Sequence, residues 1–179
     1  MVLRVSSSWC IKDQNFKSYL FETYGNEFDT DDVKYIDCDY RNISDLTGIE
    51  YFHNLQRISC FGNHLRTLNL NNNTSLFEVF CTSNQLTSLN VENCVNLKHL
   101  YCDDNQLVTL DVRRNKKLEI LRVESNNLKV IDISNNPKID TLTYINNPLE
   151  KIILSKTNSM SSASMFGLEL YYGDIIEYR

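Results

Sequence analysis

Four cysteines recur at near-constant spacing: Cys38, Cys60, Cys81 and Cys102 lie 22, 21 and 21 residues apart. A thiol can ligate a metal, attack a substrate or form a disulfide, and each use needs particular companions. Cys60 and His64 have a metal-like spacing, but no second pair completes a zinc set. His99 precedes Cys102 closely enough to suggest a Cys–His dyad. Strand alternation argues against it, because Leu100 and Cys102 point inward while His99 and Tyr101 point outward. A disulfide needs Cβ atoms about 3.5–4.5 Å apart and turned toward each other. Neighbours in one column of parallel strands sit about 4.8 Å apart with parallel Cβ directions. The four are therefore expected to be reduced, buried thiols that pack as small hydrophobes. Cys94 belongs to another column, and Cys10 precedes the pattern.

Other chemistry-bearing stretches are weaker. The acidic run Asn26–Asp32 lacks the Gly and the late Glu of a calcium loop, and reads as a solvated turn. The basic run RRNKK at 113–117 lies beside Asp111 and Glu119 and reads as a solvated outer turn. There is no Gly-rich phosphate loop and no G-x-S-x-G nucleophile motif. No catalytic residue, metal site or cofactor is expected, and the chain reads as a non-enzyme.

What positions these residues is a repeat. From 55 to 157 the sequence runs apolar, two residues, apolar, one residue, usually Cys, two residues, then Asn-x-Leu, with a period of 21. The first copy holds Leu55, Ile58, Cys60, Asn63, Leu65, Leu68, Leu70 and Asn73. The fourth holds Leu118, Leu121, Val123, Asn126, Leu128, Ile131, Ile133 and Asn136. Five such copies without insertion are the signature of a leucine-rich repeat. The apolar columns build a core that no single repeat closes alone. Parallel strands are expected around Ile58, Val79, Leu100, Leu121 and Leu142. The amides of Asn63, Asn84, Asn105, Asn126 and Asn147 can donate and accept, which suits buried backbone of the following turn. A second row holds Asn73, Asn115 and Asn136, with Cys94 and Thr157 in place of Asn. A repeat this short leaves little room for an outer helix, so extended segments or 3₁₀ turns are expected there.

The ends must cap the stack. Asp13 is a candidate N-cap for a helix carrying Phe16, Tyr19, Leu20 and Tyr24 on one face, with Gly25 as its stop. An irregular first coil follows through Val33, Ile36, Cys38, Ile43, Leu46, Ile49 and Phe52. Met160, Ala163 and Met165 keep the register of a degenerate sixth repeat, and the C-terminal LELYYGDIIEYR reads as a closing strand with a turn at Gly173. The expected fold is a leucine-rich repeat solenoid of the α/β class, mostly β. It is a curved right-handed coil with a parallel concave sheet, an N-terminal helical cap and a C-terminal strand cap. It forms one domain over 1–179: cap and first strand at 1–42, repeats at 43–157, degenerate repeat and cap at 158–179.

The net charge of −5 argues against a general nucleic-acid or anionic-membrane binder. No apolar run of about 18 residues suggests a membrane span. The opening MVLRVSSSWC lacks the apolar region of a secretion signal. As written the chain reads as cytoplasmic, or as surface-displayed or secreted if it is a processed piece.

Residues 43–157 resemble the cysteine-containing, 21-residue repeats of bacterial internalin-like proteins. The resemblance rests on ISDLTGIEYFHNL (43–55), CTSNQLTSLNVENCVNL (81–97) and CDDNQLVTLDVRRNKKL (102–118), with NFKSYL (15–20) similar to the group's cap. It implies a binding protein, secretion, adhesion and a bacterial surface.

The residues flanking each inward pair should face the concave side. They form three columns: Arg57, Glu78, His99, Ile120, Thr141; Ser59, Phe80, Tyr101, Arg122, Thr143; and Phe61, Thr82, Asp103, Glu124, Ile145. Phe61, Phe80, His99 and Tyr101 make an aromatic group within them, rimmed by Arg57, Arg122, Asp103 and Glu124. That is the make-up of an interface core with a charged rim. The expected function is a protein-binding scaffold working as a monomer. An intracellular inhibitor or immunity-type protein that binds a toxin or effector, and a glycan-binding surface adhesin, are the alternatives.

Overall fold

The computed structural model describes residues 2–4, 11–156 and 175–179. Cys10, Met160, Ala163, Met165 and Gly173, and the degenerate repeat read from them, lie outside the described residues. The described chain runs through β1 (Val2–Arg4), α1 (Gln14–Tyr24), β2 (Glu27–Asp29), a 3₁₀ turn at Thr30–Asp32, β3 (Tyr35–Asp37) and a second 3₁₀ turn at Ile49–Tyr51. Then come β4 (Arg57–Ser59), β5 (Thr67–Asn69), β6 (Glu78–Phe80), β7 (Ser88–Asn90), β8 (His99–Tyr101), β9 (Ile120–Arg122), β10 (Val130–Asp132), β11 (Thr141–Thr143), β12 (Lys151–Leu154) and β13 (Ile176–Tyr178).

The cap helix forms where its sequence signals say it should. Asp13 Oδ1 accepts the N–H groups of Asn15 (2.9 Å) and Phe16 (3.0 Å), which would otherwise be orphan donors. Gly25 ends the helix with φ +84, a backbone region that disfavours other residues. Phe16, Tyr19 and Leu20 are buried on the face turned to the first coil. Strand β1 pairs antiparallel with β2, Leu3 opposite Phe28.

Each later repeat is one coil. Its first half enters a six-stranded parallel sheet in the order β11-β9-β8-β6-β4-β3, with Ile36, Ile58, Val79, Leu100, Leu121 and Leu142 in one buried row. Its second half is also extended. Strands β5 and β7 pair, and β10, β12 and β13 form a second outer sheet, all parallel. The choice left open for the outer side is thus settled as strand in most coils. Between β7 and β10 the row breaks, because Thr109–Asp111 are not paired as strand. Leu110 there is only half-buried, above a cavity of about 10 Å3 lined by Val112, Leu121, Val123 and Ile131.

After each concave strand the chain turns through a left-handed residue: Tyr40, Gly62, Ser83, Asp104, Ser125 and Asn146 have φ between +51 and +65, and the irregular first coil adds Asn42 at +55. The Asn that follows the turn holds it closed. Asn105 Oδ1 accepts the N–H of Leu86 (2.9 Å), while its amide donates to the carbonyls of Cys81 (3.0 Å), Cys102 (3.2 Å) and Asp103 (3.0 Å). Asn84, Asn126 and Asn147 repeat this pattern one coil apart. The ladder is therefore built from side-chain amides bridging backbone groups of successive coils, which satisfies turn groups that water does not reach.

The five described cysteines are free, buried thiols. Cys38, Cys60, Cys81 and Cys102 each donate S–H to a carbonyl one coil on, those of Ser59 (3.3 Å), Phe80 (3.4 Å), Tyr101 (3.5 Å) and Arg122 (3.3 Å). In the second row Asn115 donates to the carbonyls of Val91 and Cys94, both at 2.9 Å. Cys94 takes the equivalent place, its thiol donating to the carbonyls of Leu70 (3.3 Å) and Asn73 (3.7 Å). This explains why a cysteine can stand in an asparagine column: the column needs a buried donor.

At the C-terminal end β13 lies parallel to β12, Ile152 opposite Ile176, and Ile175 and Ile176 pack on the core. Glu177 holds Lys151 and Arg179 in ion pairs along that edge, which discourages further strand pairing.

Candidate functional site

The concave face is the outer surface of the six-stranded sheet. Strand register fixes its columns, because Arg57, Glu78, His99, Ile120 and Thr141 are Cα partners in turn, as are Ser59, Phe80, Tyr101, Arg122 and Thr143. The sheet carries Phe80 and Tyr101 side by side, rings stacked at 4.5 Å with an interplanar angle of 5°. The guanidinium of Arg57 covers Phe80 at 4.9 Å and pairs with Glu78 at 3.3 Å. His99 meets Tyr101 edge-on at 6.4 Å, and its Nδ1 lies 3.1 Å from Glu78. Burial against these neighbours, with the Glu78 charge adding to it and Arg122 opposing, pushes the Tyr101 hydroxyl above its ordinary pKa.

The carbonyls of Phe80 and Tyr101 are anchored from behind. Each accepts both the N–H and the S–H of the cysteine one coil earlier, Cys60 and Cys81. The buried ladder and the half-exposed aromatic pair are thus two sides of the same strands. This places the rings on backbone that is hydrogen-bonded from coil to coil.

Two expected members sit differently. Phe61 does not join the Phe80–Tyr101 stack; its ring meets Tyr40 edge-on at 4.9 Å and 87°. Asp103 is 5% exposed rather than a rim residue. Its Oδ1 accepts the N–H of Glu124 (2.9 Å) and its Oδ2 pairs with Arg122 Nε (3.1 Å). Burial pushes its carboxyl above the usual range against those two stabilising contacts. Asp39 has the same task three coils earlier, accepting Phe61 N–H (2.7 Å) and the Ser59 hydroxyl (2.6 Å). Tyr40, 70% exposed beside Phe61, is the surface aromatic that the repeat pattern does not reveal. It lies in the irregular first coil, where the columns are hardest to align.

Cys102 is fully buried beneath the sheet and His99 lies on its outer side, so the two do not form a dyad. Among the described residues no group of three or more His, Cys, Asp or Glu is gathered as for a metal ion. Within the acidic run, Asp29 caps the 3₁₀ turn through Asp31 N–H (3.0 Å). In RRNKK, Arg113 grips Asp111, Arg114 pairs with Glu92 and Lys117 donates to Asn96, all at the surface. Among the described residues no helix is long and apolar enough to cross a membrane.

No family model matches the chain, and no curated protein does. Solved structures do. The functional domain of InlJ from Listeria monocytogenes, which includes a cysteine ladder, matches with a TM-score of 0.76 and 28% identity, over 90% of this chain and 40% of that one. The internalin InlF from Listeria monocytogenes matches with a TM-score of 0.67 and 16% identity, over 99% of this chain and 58% of that one. The second likeness is one of fold alone. The chain thus spans about 40% and 58% of the two structures it matches. It is similar to the internalin-like, cysteine-ladder group of bacterial leucine-rich repeat proteins.

Proposed function

We propose that the protein is a non-enzymatic scaffold that binds another protein on the concave face of its solenoid. The observation that carries this reading is the Phe80–Tyr101 stack, half-exposed at the middle of a rigid sheet and flanked by Arg57 and Arg122. Stacked aromatics with arginine beside them are the residue types that dominate binding energy in interfaces. Solenoids offer such a surface because curvature and stacking make it broad. The similarity to the functional domain of InlJ supports the same cysteine-ladder scaffold.

The test is a footprint. A partner captured from native lysate on the immobilised protein is titrated back, and amide hydrogen exchange is followed. Protection is expected over 57–61, 78–82, 99–103 and 120–124, with none over 108–117. Protection confined to 108–117 would overturn the concave reading.

A further inference from the structure

The aromatic stack has one open end. Phe80 and Tyr101 stand on the adjacent strands β6 and β8, so their stack runs along the solenoid axis. Arg57, on the preceding strand β4, closes one end by lying over Phe80. The far face of Tyr101 looks toward β9. Its neighbour there, Arg122, pairs with Asp103 at 3.1 Å, and among the described residues no guanidinium lies over the Tyr101 ring as Arg57 lies over Phe80.

The concave sheet as a whole carries an excess of acid, with Glu124 on the β9 side of Tyr101 and with Asp37 and Asp39 on the β3 side, beyond Arg57. Both concave guanidiniums are already neutralised, Arg57 by Glu78 at 3.3 Å and Arg122 by Asp103 at 3.1 Å. Asp37, Asp39 and Glu124 on the same face have no cation partner among the described residues. An arginine over an aromatic face gains from the ring quadrupole, and gains more where water is displaced. A partner's positive charge would also meet carboxylates whose charge no cation of the described residues offsets.

We propose that the concave face takes a basic protein segment, with an arginine of the partner laid on the open face of Tyr101 as Arg57 lies on Phe80. This rests on the concave-scaffold reading and names its partner chemistry. A lysine would meet the charge but not the flat ring; a guanidinium does both. An acidic segment would face the charges of Asp37, Asp39 and Glu124 and be repelled.

The experiment uses the full chain and three synthetic peptides of one length: Gly-Arg repeats, the same with citrulline, and the same with glutamate. Backbone amide shifts are followed by NMR during titration. The arginine peptide should shift the amides of Tyr101, Cys102 and Glu124, and citrulline should weaken binding at least tenfold. Tyr101→Leu and Glu124→Gln should each weaken the arginine peptide at least threefold, while Glu92→Gln on the outer side leaves it unchanged. A thermal melt of each variant confirms that it is folded. Equal binding of the citrulline or glutamate peptide at this face would overturn the basic-partner assignment and leave the concave scaffold standing. Arginine-peptide shifts that cluster around Glu92 and Asp111, or no concave shift at millimolar peptide, would also overturn it.

Discussion

The ring of Tyr40 lies on Gly62, so closely that a Cβ at Gly62 would stand 2.5 Å from Tyr40 Cε1. Both residues are left-handed turn residues of successive coils, with φ +53 and +65. Gly62 therefore serves twice: it relaxes its own turn and makes room for the ring that packs against Phe61. Gly62→Ala should cost about 1–2 kcal/mol through backbone strain and should displace Tyr40. Gly62→Asn should recover most of that stability, since Asn tolerates this turn, yet still displace the ring. Urea unfolding and the chemical shifts of the Phe61 ring separate the two effects. Equal stability of Gly62→Ala and wild type would show that the turn is not under this constraint.

The asparagine ladder carries a larger load per residue. Asn105→Ala removes a donor to three carbonyls and an acceptor for Leu86. It should cost about 1–3 kcal/mol, the usual range for leaving buried polar groups unpaired. Asn105→Asp should cost more, because a carboxylate would face those carbonyls without a proton to donate. Asn96 is exposed, and Asn96→Ala should stay within about 0.5 kcal/mol. Similar losses at 96 and 105 would contradict the coil register.

The columns were legible in the sequence because period and residue type fix them together. Leu100 and Cys102 face inward for the same reason that His99 and Tyr101 face outward: a strand alternates. What escaped depends on contacts between coils. Asp103 looks like a rim charge by alternation, but the Glu124 N–H and the Arg122 guanidinium draw it under cover. Tyr40 was hidden by the irregular first coil. Nothing in Thr109–Asp111 announces the break in the outer strands.

The thiols should make stability fall in mild alkali. Burial pushes Cys38 and Cys94 up to about 12 and also lifts Cys60, Cys81 and Cys102. In the unfolded chain a thiol ionises near about 8.5. Above that pH the unfolded state holds fewer protons than the folded state, so stability drops as pH rises. The contribution is whole below the unfolded value and is lost on the way to the folded values, at about 1.4 kcal/mol per pH unit for each thiol. Cys81→Ala should therefore show a shallower decline than wild type between about pH 8.5 and 10, measured by urea unfolding. An unchanged slope would mean that Cys81 is not protected from ionisation.

Asp13 ties the cap helix to the repeats. One carboxylate oxygen caps α1, and the other accepts the N–H (2.7 Å) and hydroxyl (2.8 Å) of Ser44. Burial alone would raise its pKa, but the hydrogen bonds from Ser44, Phe16 and Asn15 together outweigh that and lower it. Its contribution is thus present above the ordinary carboxylate range and lost as pH falls through the depressed value. Asp13→Ala should cost about 0.5–2 kcal/mol, with the loss from the wild type shrinking in acid. A pH-independent difference between the two proteins would contradict the ionised cap.

The most direct measurement of the concave scaffold is the affinity of an identified partner for three variants, by calorimetry. Phe80→Ala and Tyr101→Ala should each weaken binding by about 1–2 kcal/mol, as truncation of interface anchors does, with thermal stability nearly unchanged. Arg114→Glu, on the outer turn, should bind as wild type. Wild-type affinity in both aromatic variants, with binding abolished by Arg114→Glu, would place the partner on the opposite side of the solenoid.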